Sequence, residues 1–311
     1  MGLAEGRQRQ RPASLPRPLP PTASLLRFPA VSSFQLNPIP KTDIIKYCQQ
    51  YEKGQVNILK DETIAKVEQE LDGWEYLSEL PETWHGFTKR LIHKPIEDCY
   101  DIFVYESAAL HKSATAYFHE ETHEYKLRIK IGLIELCRIE FITADFSVFE
   151  HLLRTQLEQL LCDLAVFNPK SISSIVRDKE VLTWEAGREL PEELAGFTLF
   201  IRPEYPFKIN NGSYIIIDYV DFSLESNVTF YYNIYRDEFF SEARIWNIPD
   251  VNYDFDSNTL PELEEKMQRY LVPRLQEVRR RAEKEAAERA AREARRQTEA
   301  KQEEAEPQEE V

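Results

Sequence analysis

The chain has 311 residues, of which 42% are hydrophobic and 12% aromatic, so it is long enough to bury the cores of two ordinary domains. Its formal net charge is −15. Residues 1–41 carry +5 and residues 277–311 carry −2, which leaves −18 for residues 42–276. A body this acidic repels phosphate backbones and anionic lipid headgroups, so it argues against nucleic acids and membranes as partners.

The first 41 residues are rich in proline and arginine and predict a disordered leader, because repeated prolines prevent helix formation. The sequence shows neither the apolar core of a signal peptide nor an apolar run of about 18 residues that could cross a bilayer. We therefore expect a cytoplasmic protein. After the leader, residues 62–71 have helical spacing, with Asp61 as the predicted N-cap.

One segment of fourteen residues occurs twice. Residues 74–87 read WEYLSELPETWHGF and residues 184–197 read WEAGRELPEELAGF, so eight of the fourteen positions are identical at a constant offset of 110. Further aromatic and apolar matches follow at an offset of 114, without a gap from Ala114 to Leu161. A repeat of this length predicts a duplicated structural unit, which constrains the fold before any short motif is considered.

The first unit has the pattern of an antiparallel sheet followed by a helix. Alternating β-branched and aromatic residues are typical of strands. Helix 146–162 is predicted because Asp145 is a suitable N-cap and leucine and phenylalanine side chains form one apolar stripe. The predicted strands begin at Phe87 and continue at 99–106, 114–120, 124–131 and 133–142.

The second unit repeats this order. Its predicted strands are 197–202, 213–221, 228–235, 238–246 and 250–255, and its helix covers 260–278. Successive strands followed by one helix predict the α+β class: two tandem copies of an antiparallel β-meander followed by a packed helix, plus a C-terminal solvent-exposed helix. The two copies can form one continuous sheet or two lobes, and the sequence leaves both arrangements open.

The predicted organisation has four parts: a leader at 1–41, a first repeat with N-terminal helices at 42–165, a second repeat at 166–278 and a charged helical tail at 279–311. The tail consists mainly of Ala, Glu, Arg, Gln and Lys and has no apolar seam. It therefore predicts a solvated single helix, frayed or disordered at its end, rather than a coiled coil. We expect the tail to bury little surface, and we expect Pro273 to kink or interrupt the preceding helix.

One motif matches a known metal-binding pattern. His119, Glu120 and His123 have the spacing H-E-x-x-H, which on a helix places two imidazoles on one face to bind zinc beside a glutamate base. The flanking residues alternate as strands do, so the motif is predicted to lie on a hairpin turn instead. We therefore predict no metal site and no catalytic residue, and keep these three residues as the candidates should a metal be bound.

The duplicated loop segment is the second candidate site. A tryptophan can pack on the sheet, a Leu-Pro pair can fix a turn and a glycine permits close backbone approach, which together give a structural explanation. The functional alternative is a pair of recognition loops, one in each repeat. The candidate binding residues are Trp74, Pro81 and Gly86 in the first loop and Trp184, Pro191 and Gly196 in the second.

The sequence contains no glycine-rich phosphate loop and no nucleophile elbow, and its four cysteines are too scattered to form a ligand pair. The leading hypothesis is a non-enzymatic protein-binding or scaffold protein with no cofactor, whose partner is another protein. Aromatic residues concentrate in the second copy, where they can form core or a patch for that partner. Two alternatives stay open: a metal-dependent hydrolase using the HEETH motif, and an acidic decoy of a nucleic-acid-binding protein.

Overall fold

The computed structural model describes residues 59–305. The predicted leader, Cys48 and the predicted frayed end beyond residue 305 lie outside the described residues. All the elements below belong to one compact unit, Val56–Val311.

The first described element is helix α1, Asp61–Leu71, which buries Val67 in the first apolar core. Its cap position is Lys60, whereas Asp61 already has helical geometry, so the prediction of Asp61 as the N-cap was wrong by one residue. The acidic first turn still suits this helix end, because negative side chains stabilise the positive end of the helix dipole. A short second helix, α2, covers Tyr76–Glu79.

Six antiparallel strands form the first sheet, in the order in which they occur along the chain. Each central strand alternates its side chains between two faces, which is why the period of two in the sequence predicted these strands. The strands are β1 (Thr83–Trp84), β2 (Phe87–Ile96), β3 (Cys99–Ser107), β4 (Lys112–His119), β5 (Glu124–Ile131) and β6 (Ile134–Thr143).

Helix α3, Phe146–Ala165, packs on one face of the first sheet, which we call its front face. The predicted N-cap is confirmed, because the Asp145 carboxylate accepts hydrogen bonds from the backbone N–H groups of Ser147 and Val148. The apolar stripe of α3 is buried at Phe149, Leu153, Leu157, Leu160, Leu161 and Leu164, and Leu152 is partly buried beside it. The opposite face of the sheet is its back face.

Short helices lead to a second sheet, whose strand order is β13-β12-β11-β10-β8-β7, with β9 paired to β10. The two sheets share no strand, so the chain forms two separate antiparallel sheets rather than one continuous sheet. The elements are α4 (Ser174–Asp178), α5 (Glu185–Arg188), β7 (Glu193–Leu194), β8 (Phe197–Ile201), β9 (Phe207–Lys208), β10 (Ser213–Asp221), β11 (Ser226–Asn233), β12 (Glu238–Ile245) and β13 (Ile248–Val251). Two sheets with packed helices confirm the α+β class.

The strand pairings of the two sheets have the same register. The pairing of β3 with β4 shifts between Asp101 and Phe103, and the pairing of β10 with β11 shifts between Ile215 and Ile217. These bulges lie 114 residues apart. The pairings of β4 with β5 and of β11 with β12 are related by the same 114 residues. A bulge is a local irregularity that aims side chains in a particular direction, so its recurrence at the same place is informative.

The duplicated loop segments make the same contacts in both halves. The indole N–H of Trp74 donates to Glu150 on α3 over 2.8 Å, and that of Trp184 donates to Glu264 over 3.2 Å. A tyrosine hydroxyl donates to the backbone carbonyl of the loop proline in each half, over 2.6 Å at Pro81 and 2.9 Å at Pro191. The glycine before each following strand has a φ near +85°, a conformation that glycine adopts without strain.

Helix α6 covers Leu260–Ala305 and is continuous through Pro273. The prediction that Pro273 would interrupt this helix was therefore wrong. No helix in the described part of the chain is long and apolar enough to cross a membrane.

The packed part of α6 extends beyond its predicted end at residue 278. Ala282 is fully buried, and its carbonyl accepts a hydrogen bond of 2.9 Å from the Trp246 indole. The Arg279 guanidinium donates to the carbonyl of Gly196 over 3.0 Å, and the Arg289 guanidinium lies 4.6 Å from the centre of the Trp246 ring. The expectation that residues after 278 bury little surface was wrong, because alanine and arginine pack against the second sheet without forming an apolar seam.

Candidate functional site

The back face of the first sheet forms an open groove of about 310 Å³. Strands β2 to β6 contribute to it, and the alternation of side chains along each strand brings mainly polar residues to this face while the apolar ones face α3. We call it the first-sheet groove. Its lining consists of Arg90, Ile92, Lys94, Ile96, Asp101, Val104, Glu106, Ser113, Thr115, Arg128, Lys130 and Glu135.

The acidic residues of the groove are paired with its arginines. Both carboxylate oxygens of Asp101 accept hydrogen bonds from Arg128, at 2.9 and 3.2 Å. Burial raises the pKa of Asp101 above its usual value, and the charge of Arg128 opposes that rise. Glu135 lies 3.5 Å from Arg128, and Glu106 forms an ion pair of 3.1 Å with Arg90. The acids of the groove therefore hold and orient its arginines.

The two lysines of the groove are different, because neither Lys94 nor Lys130 forms an ion pair with a described carboxylate. Both side chains are exposed. A second depression, of about 420 Å³, adjoins the groove and shares Glu106, Ser113 and Lys130 with it. The available charge on this face is therefore positive, although the protein as a whole carries −15.

The back face of the second sheet is covered by the hairpin tips of the first. A Cβ atom on Gly132 would lie 2.8 Å from the Phe200 ring and 3.6 Å from the Asp218 carboxylate, so this turn is pressed against the second sheet. The His111 ring stacks on Phe222 with their centroids 4.0 Å apart. The chain thus fills one of its two back faces with its own loops.

Further contacts extend this junction. Ile215 and Tyr231, both on the second back face, belong to the apolar core of the first sheet, and Tyr231 stacks on Phe240 at 5.0 Å. The amide of Asn210 donates to the carbonyl of Cys137 on β6 over 2.8 Å. The two sheets are therefore joined by apolar burial as well as by hydrogen bonds.

A buried polar cluster lies under this junction. Asp218 is fully buried, and one of its oxygens accepts hydrogen bonds from Asn227 and Thr229 at 2.9 and 2.8 Å. Its other oxygen has no hydrogen-bond partner among the described residues, and the same is true of one Arg244 nitrogen. Burial raises the pKa of Asp218 to about 7. This carboxyl group therefore changes charge near neutral pH inside the protein.

The structure places the HEETH motif on the turn between β4 and β5, as the alternating flanks predicted. His123 has a positive φ of 53°, typical of a turn rather than a helix. Glu120 is buried, and its carboxylate lies 3.0 Å from Lys60 at the start of α1. Glu120 and His123 both lie outside the group of possible metal ligands around His119, which contains Asp98 and Cys99. The motif therefore does not form the two-histidine arrangement that a helix would give.

His119 instead lies beside Asp98 and Cys99. Among the described residues these three form a group that could bind a metal ion, because their ligand atoms lie within 4.8 Å of one another. Cys99 lies directly opposite His119 in the pairing of β3 with β4. Burial raises the pKa of Cys99 to about 12, so its thiol is protonated at neutral pH. Cys99, Cys137 and Cys162 are all free thiols; Cys99 is buried, whereas Cys137 and Cys162 are partly exposed.

Residues of the candidate recognition loops make structural contacts with the helices of this fold. Trp74 and Trp184 each bond to the following long helix, as described above, and Trp184 is 8% exposed. Gly196 is approached closely by the Arg279 guanidinium, so the second loop is covered by α6. A recognition role for Pro81, Gly86 and their counterparts in the second loop stays a prediction. Most aromatic residues of the second half are core, with Tyr235 exposed.

The sequence did not single out the groove lysines or the grouping of Asp98, Cys99 and His119. A partial signal for the latter was present, because a meander makes the predicted strands 99–106 and 114–120 neighbours. The exact pairing of Cys99 with His119 could not be read from the sequence, because it depends on the bulge between Asp101 and Phe103. The groove had no such signal, because charged residues at alternate strand positions are typical of any sheet face exposed to solvent. No protein-family model, no curated protein and no solved structure matches the chain.

Proposed function

We propose that the chain is a non-enzymatic protein-binding scaffold built from a duplicated α+β unit. Support for the duplication comes from the shared strand register, the bulges 114 residues apart and the tryptophan–glutamate contact made in both halves. The first unit runs from α1 to α3, and the second from α4 to the packed part of α6. The remainder of α6 is the solvent-exposed helix, since residues 287–298 are exposed.

The first-sheet groove is the proposed docking surface. This proposal depends on a difference between the back faces of the two sheets. Loops of the first sheet cover the back face of the second sheet, whereas Glu106 and Lys130 on the back face of the first sheet are exposed. A face of this type therefore already binds polypeptide within the molecule. The groove is long enough to continue into the adjoining depression, which suits an extended segment.

Charge identifies the kind of segment. The groove acids are paired with arginines, while Lys94 and Lys130 form no direct ion pair with a described carboxylate, although the charge of Lys94 acts on Asp101. A partner segment with aspartate or glutamate residues would supply those partners. We therefore propose that the scaffold binds an acidic loop or strand of another protein, held by Lys94 and Lys130 and by the exposed Arg90–Glu106 pair.

Binding of synthetic peptides to the full chain tests this proposal. We expect a fluorescent peptide of alternating glutamate and serine to bind and its lysine–serine counterpart not to bind, as measured by fluorescence anisotropy. The variant Lys94→Glu with Lys130→Glu should lose binding of the acidic peptide. Affinity should fall with rising salt, because the contacts are between exposed charges.

The matched control is Lys170→Glu with Lys284→Glu, which reverses two exposed lysines away from the groove. This control should bind the acidic peptide as the unaltered chain does. Equal loss of binding in both double variants would mean that overall charge, rather than the groove, attracts the peptide. Binding that survives reversal of Lys94 and Lys130 would contradict the proposal outright.

A further inference from the structure

Three side chains of different chemistry converge where β3 begins and β4 ends. The Nε2 atom of His119 lies 3.2 Å from a carboxylate oxygen of Asp98, and the Sγ atom of Cys99 lies 3.4 Å from the other oxygen of that carboxylate. Cys99 is buried, whereas Asp98 and His119 are partly exposed. Thiolate sulfur, imidazole nitrogen and carboxylate oxygen are together the ligand types that zinc accepts.

The three side chains are close enough to reach one ion. Zinc–ligand bonds of about 2.0–2.3 Å at tetrahedral angles place neighbouring ligand atoms about 3.3–3.5 Å apart. The separations of 3.2 and 3.4 Å have this size, but they end on different oxygens of Asp98, so only one of them is an edge of the tetrahedron when Asp98 binds through one oxygen. All three ligand atoms lie within 4.8 Å of one another. Rotations of the side chains then have to close the remaining separations around a single ion.

We propose that Asp98, Cys99 and His119 bind one zinc ion, with water in the fourth position. The charges balance, because a divalent cation with one thiolate, one carboxylate and one neutral imidazole has no net charge. Binding releases the thiol proton of Cys99 to solvent. The partial exposure of Asp98 and His119 gives the ion a route to the site and leaves a position for water.

Polar side chains of the same turn surround the other ring nitrogen of His119. With Nε2 on the metal, Nδ1 carries the proton and donates to the Thr122 hydroxyl, 3.0 Å away. The Lys126 ammonium, 3.4 Å from Nδ1, has donors only, so on metal binding it has to turn from Nδ1 towards the Glu124 carboxylate, which lies 3.2 Å from it. Metal binding therefore selects the Nδ1–H tautomer, which the Thr122 hydroxyl stabilises.

The second half of the chain provides an internal comparison. Ser213 and Asn233 are paired opposite each other in β10 and β11, at the places that Cys99 and His119 take in β3 and β4. The Asn233 amide donates to the Ser213 hydroxyl over 2.8 Å. The same position is therefore closed by an ordinary hydrogen bond in one half and carries metal-binding side chains in the other.

Titration of the metal-free full chain with Co²⁺ under reducing conditions tests the site. We expect a near-ultraviolet cobalt–thiolate charge-transfer band and intense visible bands typical of tetrahedral cobalt, both displaced by one equivalent of Zn²⁺. Cys99→Ser should abolish the charge-transfer band. Asp98→Asn and His119→Gln should each abolish stoichiometric binding, and Thr122→Ala should weaken it about tenfold.

Two variants control for unspecific effects: His123→Gln changes a histidine of the same turn, and Cys162→Ser changes a free thiol on α3. Both should bind cobalt as the unaltered chain does. Because Cys99 is buried, circular dichroism of each metal-free variant must show a folded chain, and the more exposed Asp98→Asn gives a second measurement if Cys99→Ser unfolds. A band that is absent from the unaltered chain, or that survives Cys99→Ser, overturns the proposal.

Discussion

The back faces of the two sheets have the same strand register but opposite surroundings. Glu106 of β3 is exposed, whereas Val220, at the corresponding place in β10, is 1% exposed. The difference does not extend to every position, because Val104 and its counterpart Asp218 are both buried. The comparison teaches that a strand pattern separates the two faces of a sheet but does not decide which face another part of the chain will cover. Which face is covered depends on how the first sheet and the second sheet pack against each other.

The most direct test of the difference between the two back faces is to place a lysine at corresponding positions of both. Val220→Lys should lower the free energy of unfolding by about 3–5 kcal/mol, because it buries a charge without a partner. Glu106→Lys should change it by less than about 1 kcal/mol, because that position is exposed and its pair with Arg90 lies at the surface. Urea unfolding at neutral pH measures both.

The Thr198→Lys variant controls for the general effect of an added lysine, since Thr198 is exposed on the neighbouring strand β8. It should resemble Glu106→Lys. If Val220→Lys were as mild as these two variants, the second back face would be open in solution, and the proposed difference between the faces would be lost.

The buried acid beneath the junction predicts a pH dependence. The pKa of Asp218 rises from its ordinary value of 3.8 to about 7 in the folded chain, because burial disfavours its charged form. The folded state therefore binds this proton more tightly than the unfolded state. The resulting stabilisation is complete below about pH 4 and is lost as the pH rises through 7, to a total of up to about 4 kcal/mol.

Asp218→Asn should remove this part of the pH dependence. We expect the variant to be more stable than the unaltered chain at pH 8 and equal to it near pH 4, as measured by urea unfolding across that range. Asp163→Asn, at an exposed position on α3, should leave the pH dependence unchanged. Identical pH profiles for the unaltered chain and Asp218→Asn would show that the carboxyl group reaches solvent.

Truncation of α6 tests how much its packed extension, residues 279–289, stabilises the second half. A chain that ends after Val278 loses the buried Ala282 and the bond from Arg279 to Gly196, so its free energy of unfolding should fall by about 2–4 kcal/mol. A chain that ends after Arg292 loses no described residue that is buried, since 293–298 are exposed, and its free energy of unfolding should change by less than about 0.5 kcal/mol. Thermal or urea unfolding of both truncations measures the difference, and equal stabilities would contradict the packing of residues 279–289.

The smallest expected effect concerns the hairpin tip at the junction. Gly132 has a φ of +60°, and an added Cβ would lie 2.8 Å from the Phe200 ring. Gly132→Ala should therefore cost about 2 kcal/mol, of which roughly 1 kcal/mol comes from the backbone conformation. Gly73→Ala, with φ at +71° and open space around the added atom, should cost only the conformational part. Equal costs would mean that the tip does not press on the second sheet.

Much of the fold could be predicted from the sequence because its signals are local. Asp145 marks the start of α3 by a side-chain cap, and the β-branched and aromatic residues of 99–106 mark β3, although both faces of that strand are buried except at Glu106. Asp61 misled the prediction because acidic residues favour the first turn of a helix as well as its cap. Ala282 was missed because small residues give no apolar seam, even when a helix packs closely through them.

The candidate sites were harder to predict because they depend on long-range placement. The HEETH spacing drew attention to Glu120 and His123, yet the hairpin register brings His119 to Cys99 instead. The groove lysines resemble other exposed lysines such as Lys170 in the sequence, and only the folded sheet shows that Lys94 and Lys130 lie on the same face. The covering of the second back face likewise depends on how the tip of one half docks on the other.

The contact of Trp246 with α6 has a consequence for the proposed duplication. Gly132 and Trp246 occupy corresponding hairpin tips: the first docks on the following sheet, while the second is capped by Ala282 and Arg289. Helix α3 ends at Ala165, whereas α6 continues past the corresponding residue, Arg279, as far as Ala305. The extension of α6 therefore shields the Trp246 tip from solvent, whereas the Gly132 tip is shielded by the second sheet.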